Sequence, residues 1–304
     1  MNITDEERQR RRREKFSNAT TLKIKNDLLK DTSLLSRTTT DSNSNINSLI
    51  NDPMTRLNYL DQLEGLSNSH NGTDTTISLE HGLRKLREVI IKIYYENYKD
   101  GNFVTFVKKV YFLSYKYFIS SCKINELGGT ILSFLYEHRY ELDVPKEYID
   151  VYHFYTSHFQ KNLGKFMQEI AFNPNSSLVG NDRIIMRMAL TYVKYSSCPS
   201  FWFQSLESYS EDSLVYEFLT TSGIKKNMQI RCIDLASKCY NQLSLDFFKE
   251  RWLGNTVLDP VGLRQLNDIY LLETRNNGHQ TIIFRKKNAT PKAKQRIHNG
   301  IDKC

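Results

Sequence analysis

The 304-residue chain is short of the local signatures that carry known chemistries. Its five cysteines, Cys122, Cys198, Cys232, Cys239 and Cys304, contain no CxxC pair and are odd in number. With no signal peptide read at the start, this argues against a disulfide framework and for a reduced intracellular compartment, nucleus and/or cytoplasm. No apolar run approaches the ~18 residues that cross a bilayer. The best candidate, Phe103–Ile119, is broken by Lys108, Lys109 and Lys116. Neither GxxxxGK[ST] nor GxGxxG is present, which removes the common phosphate-cradling loops. There is no HExxH and no Cys/His cluster of zinc spacing. The tightest histidine pair, His153 and His158, lies five apart, about 500° around a helix, and so on different faces. Cys232 and Cys239, seven apart, have the spacing of two buried core positions. Carboxylates are scattered singly. No catalytic residue, cofactor site or metal site is predicted, and the chain is expected not to be an enzyme.

Charge is present, but at the ends. Residues 1–30 hold nine Lys/Arg against five Asp/Glu, a net of +4, and residues 285–304 hold seven against one, a net of +6. The overall charge is +8, so residues 31–284 carry −2. A nucleic-acid groove built into the folded middle is disfavoured, and any such contact moves to the tails.

The chain is expected to be mainly α-helical, in five parts. Residues 1–30 are a basic segment with a short helix. Residues 31–77 are rich in Ser, Thr, Asn and Asp, and are expected to be a disordered linker, because they bury too little apolar surface to offset ordering entropy. One island, Met54–Leu66, puts Leu57, Leu60 and Leu63 on one face. It is a short partner-binding helix, a helix packed on its own domain, or neither. Residues 78–227 read as an α-solenoid-like helical array. Leu79, Leu83, Leu86, Ile90, Ile93 and Tyr94 form the first stripe, and Phe103, Phe106, Val107, Val110, Leu113, Tyr117 and Phe118 the second. Further helices are expected near 125–140, 146–160, 161–171, 181–195, 199–208 and 211–222, with breakers at Pro145, Asn173-Pro174-Asn175, Cys198-Pro199 and Ser222-Gly223. The aromatic runs Tyr94-Tyr95-Tyr98 and Tyr111-Phe112-Tyr115 suit packing between helices better than stacking on bases. Gly128-Gly129, inside a helical pattern, suggests close helix packing.

Residues 228–287 carry the most specific pattern. A helix is expected with Ile230, Ile233, Leu235 and Ala236. A second is capped by Ser244 and carries Leu245, Phe247, Phe248 and Trp252. A third opens at Asp259-Pro260 with Leu263, Leu266 and Ile269. Two apolar runs, Ile269–Glu273 and Thr281–Arg285, then flank Asn276-Asn277-Gly278-His279, a strong hairpin signal because the turn needs positive φ. Three helices and a hairpin read as a winged-helix subdomain. Residues 288–304 are a basic disordered tail.

Helical repeats capped by a winged helix resemble the PCI domain, the fold shared by scaffold subunits of the proteasome lid, the COP9 signalosome, the translation initiation factor scaffold and the mRNA-export complexes. The residues that carry the likeness are Ile230-Arg231-Cys232-Ile233-Asp234-Leu235-Ala236, then Leu243-Ser244-Leu245-Asp246-Phe247-Phe248, and upstream Glu96-Asn97-Tyr98-Lys99-Asp100-Gly101-Asn102-Phe103-Val104-Thr105-Phe106. The likeness spans about 78–287, and the loop Gly254–Asp259 is longer than the compact family version. It implies a non-catalytic scaffold or adaptor that binds other subunits of a protein complex. Tyr270, Leu272, Ile282 and Phe284 would lie in or near a sheet edge open to a partner strand.

Two other readings stay open. In the first, the module lies on nucleic acid, with Arg264, Arg275, Arg285, Lys286 and Lys287 on phosphates or on an acidic partner. In the second, the first 25 residues act as a docking peptide. Thr4-Asp5-Glu6-Glu7-Arg8, Arg13-Glu14-Lys15-Phe16-Ser17-Asn18 and Leu22-Lys23-Ile24 are similar to the cytosolic start of the yeast receptor for tail-anchored proteins. That likeness implies that Arg10, Arg11, Arg12, Arg13, Lys15 and Phe16 dock a targeting ATPase. A solvated charge run or a nuclear-localisation signal fits the same residues.

Overall fold

The structure is a computed structural model, and it describes residues 44–68, 72–95, 102–171, 181–194, 199–254, 271–274, 278 and 280–284. It is mainly helical, and the chain divides into two compact units, Met1–Val144 and Pro145–Cys304.

In the first unit, α1 (Ser44–Asn51) and α2 (Pro53–Asn68) fall inside the stretch predicted to be a disordered linker. That expectation fails over these residues, because a few well-placed side chains outweigh the polar composition. Asp52 caps α2, accepting from the Met54 N–H at 3.0 Å and from the Thr55 hydroxyl, with Pro53 at the first helical position. Tyr59, Leu60 and Leu63 are buried, together with Arg56, which is only 2% exposed. The Arg56 guanidinium donates from Nη1 to the carbonyls of Leu49 (3.3 Å) and Ile50 (2.7 Å), satisfying the last turn of α1. It also lies 5.9 and 5.8 Å from the ring centroids of Phe103 and Phe106. Of the alternatives for the Met54–Leu66 island, the structure shows the helix packed on its own domain.

α3 (Gly72–Tyr95) buries Leu79, Leu83, Leu86, Ile90 and Ile93 at spacings of three and four, as the periodicity requires. At Gly82 it crosses α2 so closely that a Cβ would strike Leu63 Cδ2 and sit 3.0 Å from Tyr59 Oη. α4 (Phe103–Ser120) buries a wider face than its predicted stripe, adding Tyr111, Ser114 and Tyr115, while Leu113 is only half-buried. Tyr111 stacks on Phe134 with centroids 4.0 Å apart and planes 8° from parallel, so this aromatic run is packing. α5 (Ile124–Glu126) continues through a π-helical stretch, Leu127–Leu132, into α6 (Ser133–Glu137). Gly128 and Gly129 lie in that stretch. A Cβ at Gly129 would meet nothing within 4 Å, so close packing does not explain the second glycine.

The second unit contains α7 (Lys146–Phe154), a π-helical stretch Tyr155–Phe159, α8 (Leu163–Ala171), α9 (Asn181–Lys194), α10 (Pro199–Leu206), α11 (Leu214–Thr221) and α12 (Ile224–Cys239). It continues with β1 (Gln242–Ser244), α13 (Leu245–Trp252), β2 (Leu271–Thr274) and β3 (Gln280–Ile283). Ser213 caps α11 by accepting from the Tyr216 N–H at 3.2 Å, and Gly223, at φ 74°, makes the turn into α12. Residues 145–227 of the expected array and the expected subdomain 228–287 fall in the same compact unit. The reason is packing. α10 lies against both α12 and α13, and after α13 the backbone at Gly254 comes so near α10 that a Cβ would meet the Phe203 carbonyl carbon at 3.2 Å.

The strands form a three-stranded antiparallel sheet in the order β1-β3-β2. β1 was not expected. Three residues of mixed polarity, exposed at Gln242 and Ser244, give no alternation to read. The third predicted helix, Asp259–Ile269, lies outside the described residues.

Candidate functional site

Leu271–Thr274 and Gln280–Ile283 pair directly, Leu271 opposite Ile283, Leu272 opposite Ile282, Glu273 opposite Thr281 and Thr274 opposite Gln280. Gly278, at φ 80°, supplies the left-handed residue of the turn between them. On the other side of β3, Leu243 lies opposite Ile282 and Ser244 opposite Thr281. Ile282 therefore sits in the middle row between Leu243 and Leu272.

This placement corrects part of the predicted partner edge. Ile282 is on the central strand and fully buried, at 0% exposure, and Phe284 is buried just beyond it, its N–H donating to the Asn241 carbonyl at 2.8 Å. Both belong to the core, because β1 occupies the side of β3 that a two-stranded hairpin would have left open. Of the predicted edge residues, Leu272 lies on an outer strand and is half-buried. Tyr270 lies outside the described residues, as do Arg264, Arg275, Arg285, Lys286 and Lys287, and Arg10, Arg11, Arg12, Arg13, Lys15 and Phe16. The outer strand that the structure adds, β1, is flanked by two of the exposed large apolar side chains, Tyr240 at 40% and Phe247 at 43%. Phe247 thus leaves the predicted buried stripe of its helix, which consists of Leu245 and Phe248 with Trp252 half-buried. Cys232 is buried, with its thiol 3.6 Å from the Trp252 carbonyl, but Cys239 at the end of α12 is exposed, so only the first is a core position.

A second set of residues in the same unit is polar and buried. Asp150 and His153, three apart on α7, share a face and are 2% and 3% exposed. α9 brings Asp182, in its first turn, to the same place. One ligand atom from each of the three lies within 4.8 Å of the others. The imidazole of His153 packs edge-on against Phe166, with centroids 5.6 Å apart. Tyr209, in the turn after α10, packs against Phe154 at 5.9 Å. Burial pushes its phenol pKa up, and the nearby charges of Asp150 and Asp182 push it further. The sequence held half of this signal in Asp150-Val151-Tyr152-His153, a D-x-x-H pair at helical spacing. Weighing His153 only against His158 missed it, and Asp182 on another helix could not be found by local spacing.

His158 has a different environment. Trp202 Nε1 can only donate, and it does so to His158 Nε2 at 3.1 Å, so the ring proton is on Nδ1. Nδ1–H donates to Ser157 Oγ at 2.8 Å, and that hydroxyl donates to the His153 carbonyl at 2.6 Å. The chain of donors is complete with a neutral ring. Full burial lowers the His158 pKa to about 3.

No family model matches the chain, and neither the curated proteins nor the solved structures contain a match to it. Among the described residues no helix is long and apolar enough to cross a membrane.

Proposed function

We propose that the chain is a non-catalytic adaptor of the PCI type, a helical array joined to a winged helix that holds partner proteins in a larger assembly. The observation that carries this reading is the three-stranded sheet. A winged helix sets a strand between its first two helices against the last strand of a hairpin, and the order β1-β3-β2, with α12 before β1 and α13 after it, supports that reading. The third helix of that layout was expected in residues outside those described. Among the described residues β1 pairs with β3 alone, and its far side is where a partner strand would add. Tyr240 and Phe247 flank that strand, and aromatic side chains of this kind anchor protein interfaces. The helices of both units, with their buried aromatic faces, support the helical-array half of the reading.

The test is affinity purification of the full chain under native conditions, followed by cross-linking. Stoichiometric recovery of other helical-repeat proteins, cross-linked near 240–247, is expected, and the variant Tyr240→Asp with Phe247→Asp should lose them while remaining folded. A monomer at cellular concentration, or unchanged recovery with the double variant, refutes the reading.

A further inference from the structure

We propose that Asp150, His153 and Asp182 form a binding site for one divalent transition cation, Zn2+ or Mn2+, which ties α7 to α9. The donor set points to this class. One imidazole nitrogen with two carboxylates is a borderline N/O set, suited to zinc or manganese, whereas Ca2+ and Mg2+ favour oxygen alone and Cu+ favours sulfur. Ligand atoms of a tetrahedral site with ~2.1 Å bonds lie about 3.4 Å apart. The three here are already within 4.8 Å, so small side-chain rotations close the site.

Burial and charge supply the second argument. Two carboxylates brought together where Asp150 is almost completely buried repel one another, and a dication offsets both charges at once. The site also has a polar neighbour that needs explaining. Tyr209 Oη is buried and has no hydrogen-bond partner among the described residues, and Asp150 and Asp182 are the charges that act on it. A buried hydroxyl of this kind calls for a bound water or ion. Three protein ligands leave a coordination position open, which a water would fill. The site is made by separate helices within one unit, so its role is to fasten them, and no reaction is assigned to it.

The experiment uses the full chain, purified with a chelator and then desalted. Calorimetric titration with Zn2+, Mn2+, Mg2+ and Ca2+ should show one equivalent of Zn2+ or Mn2+ bound, and little Mg2+ or Ca2+. At a hundredfold excess over Kd the Tm should rise by about 5–10 °C. Asp182→Asn and His153→Gln should each weaken binding on the order of 100-fold, while Glu147→Gln, exposed on α7, should leave it unchanged. Asp182 is only half-buried, so its variant keeps the test valid even if the His153 variant fails to fold. Replacement by Co2+ should give a spectrum without a thiolate charge-transfer band, which separates this site from binding at the cysteines. Absence of binding to the wild-type chain would show an internally hydrogen-bonded His–Asp cluster only and overturn the proposal. Equal binding by Asp182→Asn, or a thiolate band, would overturn it as well.

Discussion

His158 makes the stability of this protein depend on pH in a way that can be isolated by one substitution. In the folded chain its ring accepts from Trp202 and donates to Ser157, a pattern only the neutral imidazole can satisfy, and burial holds its pKa at about 3. In the unfolded chain a histidine takes up its proton near pH 6.5. Between those values the unfolded state binds the extra proton, so stability is full above about pH 6.5, falls as the pH is lowered, and levels off below about 3. The slope in that window is about 1.4 kcal/mol per pH unit, which amounts to about 2 kcal/mol at pH 5. Other groups add their own slopes, so the measurement is a difference. Urea unfolding of the wild type and of His158→Gln at pH 7, 6 and 5 gives two slopes. Glutamine can accept from Trp202 and donate to Ser157 but does not titrate. The variant should be less stable at pH 7 and flatter with pH, the gap closing by about 2 kcal/mol at pH 5. Parallel slopes would show that the ring is not buried as a neutral acceptor, and would refute the reasoning.

Five further substitutions, in three sets, test the packing. Arg56→Ala removes two charged hydrogen bonds and a contact with two aromatic rings, and should cost about 2–4 kcal/mol in urea unfolding, with faster amide exchange at 49–50. A loss under ~0.5 kcal/mol would show that α1 and α2 are not held to their unit by this side chain. Gly82→Val drives a side chain into Leu63 and Tyr59 and should cost about 1–3 kcal/mol, whereas the same change at Gly65, which faces no atom within 4 Å, should cost less. Ile282→Ala on the central strand should cost about 2–5 kcal/mol and Leu272→Ala on the outer strand clearly less. Equal costs would contradict the strand order.

The helices were largely legible from sequence. Leu79, Leu83, Leu86, Ile90 and Ile93 recur at spacings of three and four, and Pro145 and Ser222-Gly223 mark breaks, because a helix closes its hydrogen bonds within four residues and buries one local stripe. The hairpin was legible for the same reason, since the Asn-Gly turn fixes its neighbours without reference to the rest of the chain.

What the tertiary structure decided is everything that depends on which distant residues meet. Residues 44–68 look too polar to fold, yet Arg56 and Tyr59 find partners on other helices. Gln242-Leu243-Ser244 has no strand pattern and becomes a strand because β3 offers it a row of hydrogen-bonding groups. That placement turns Ile282 from an edge residue into core. Asp150 and His153 share a helix face by sequence, but Asp182 joins them only through packing. Local spacing determines which elements form, whereas their partners depend on burying side chains far apart in the chain, which no short stretch encodes.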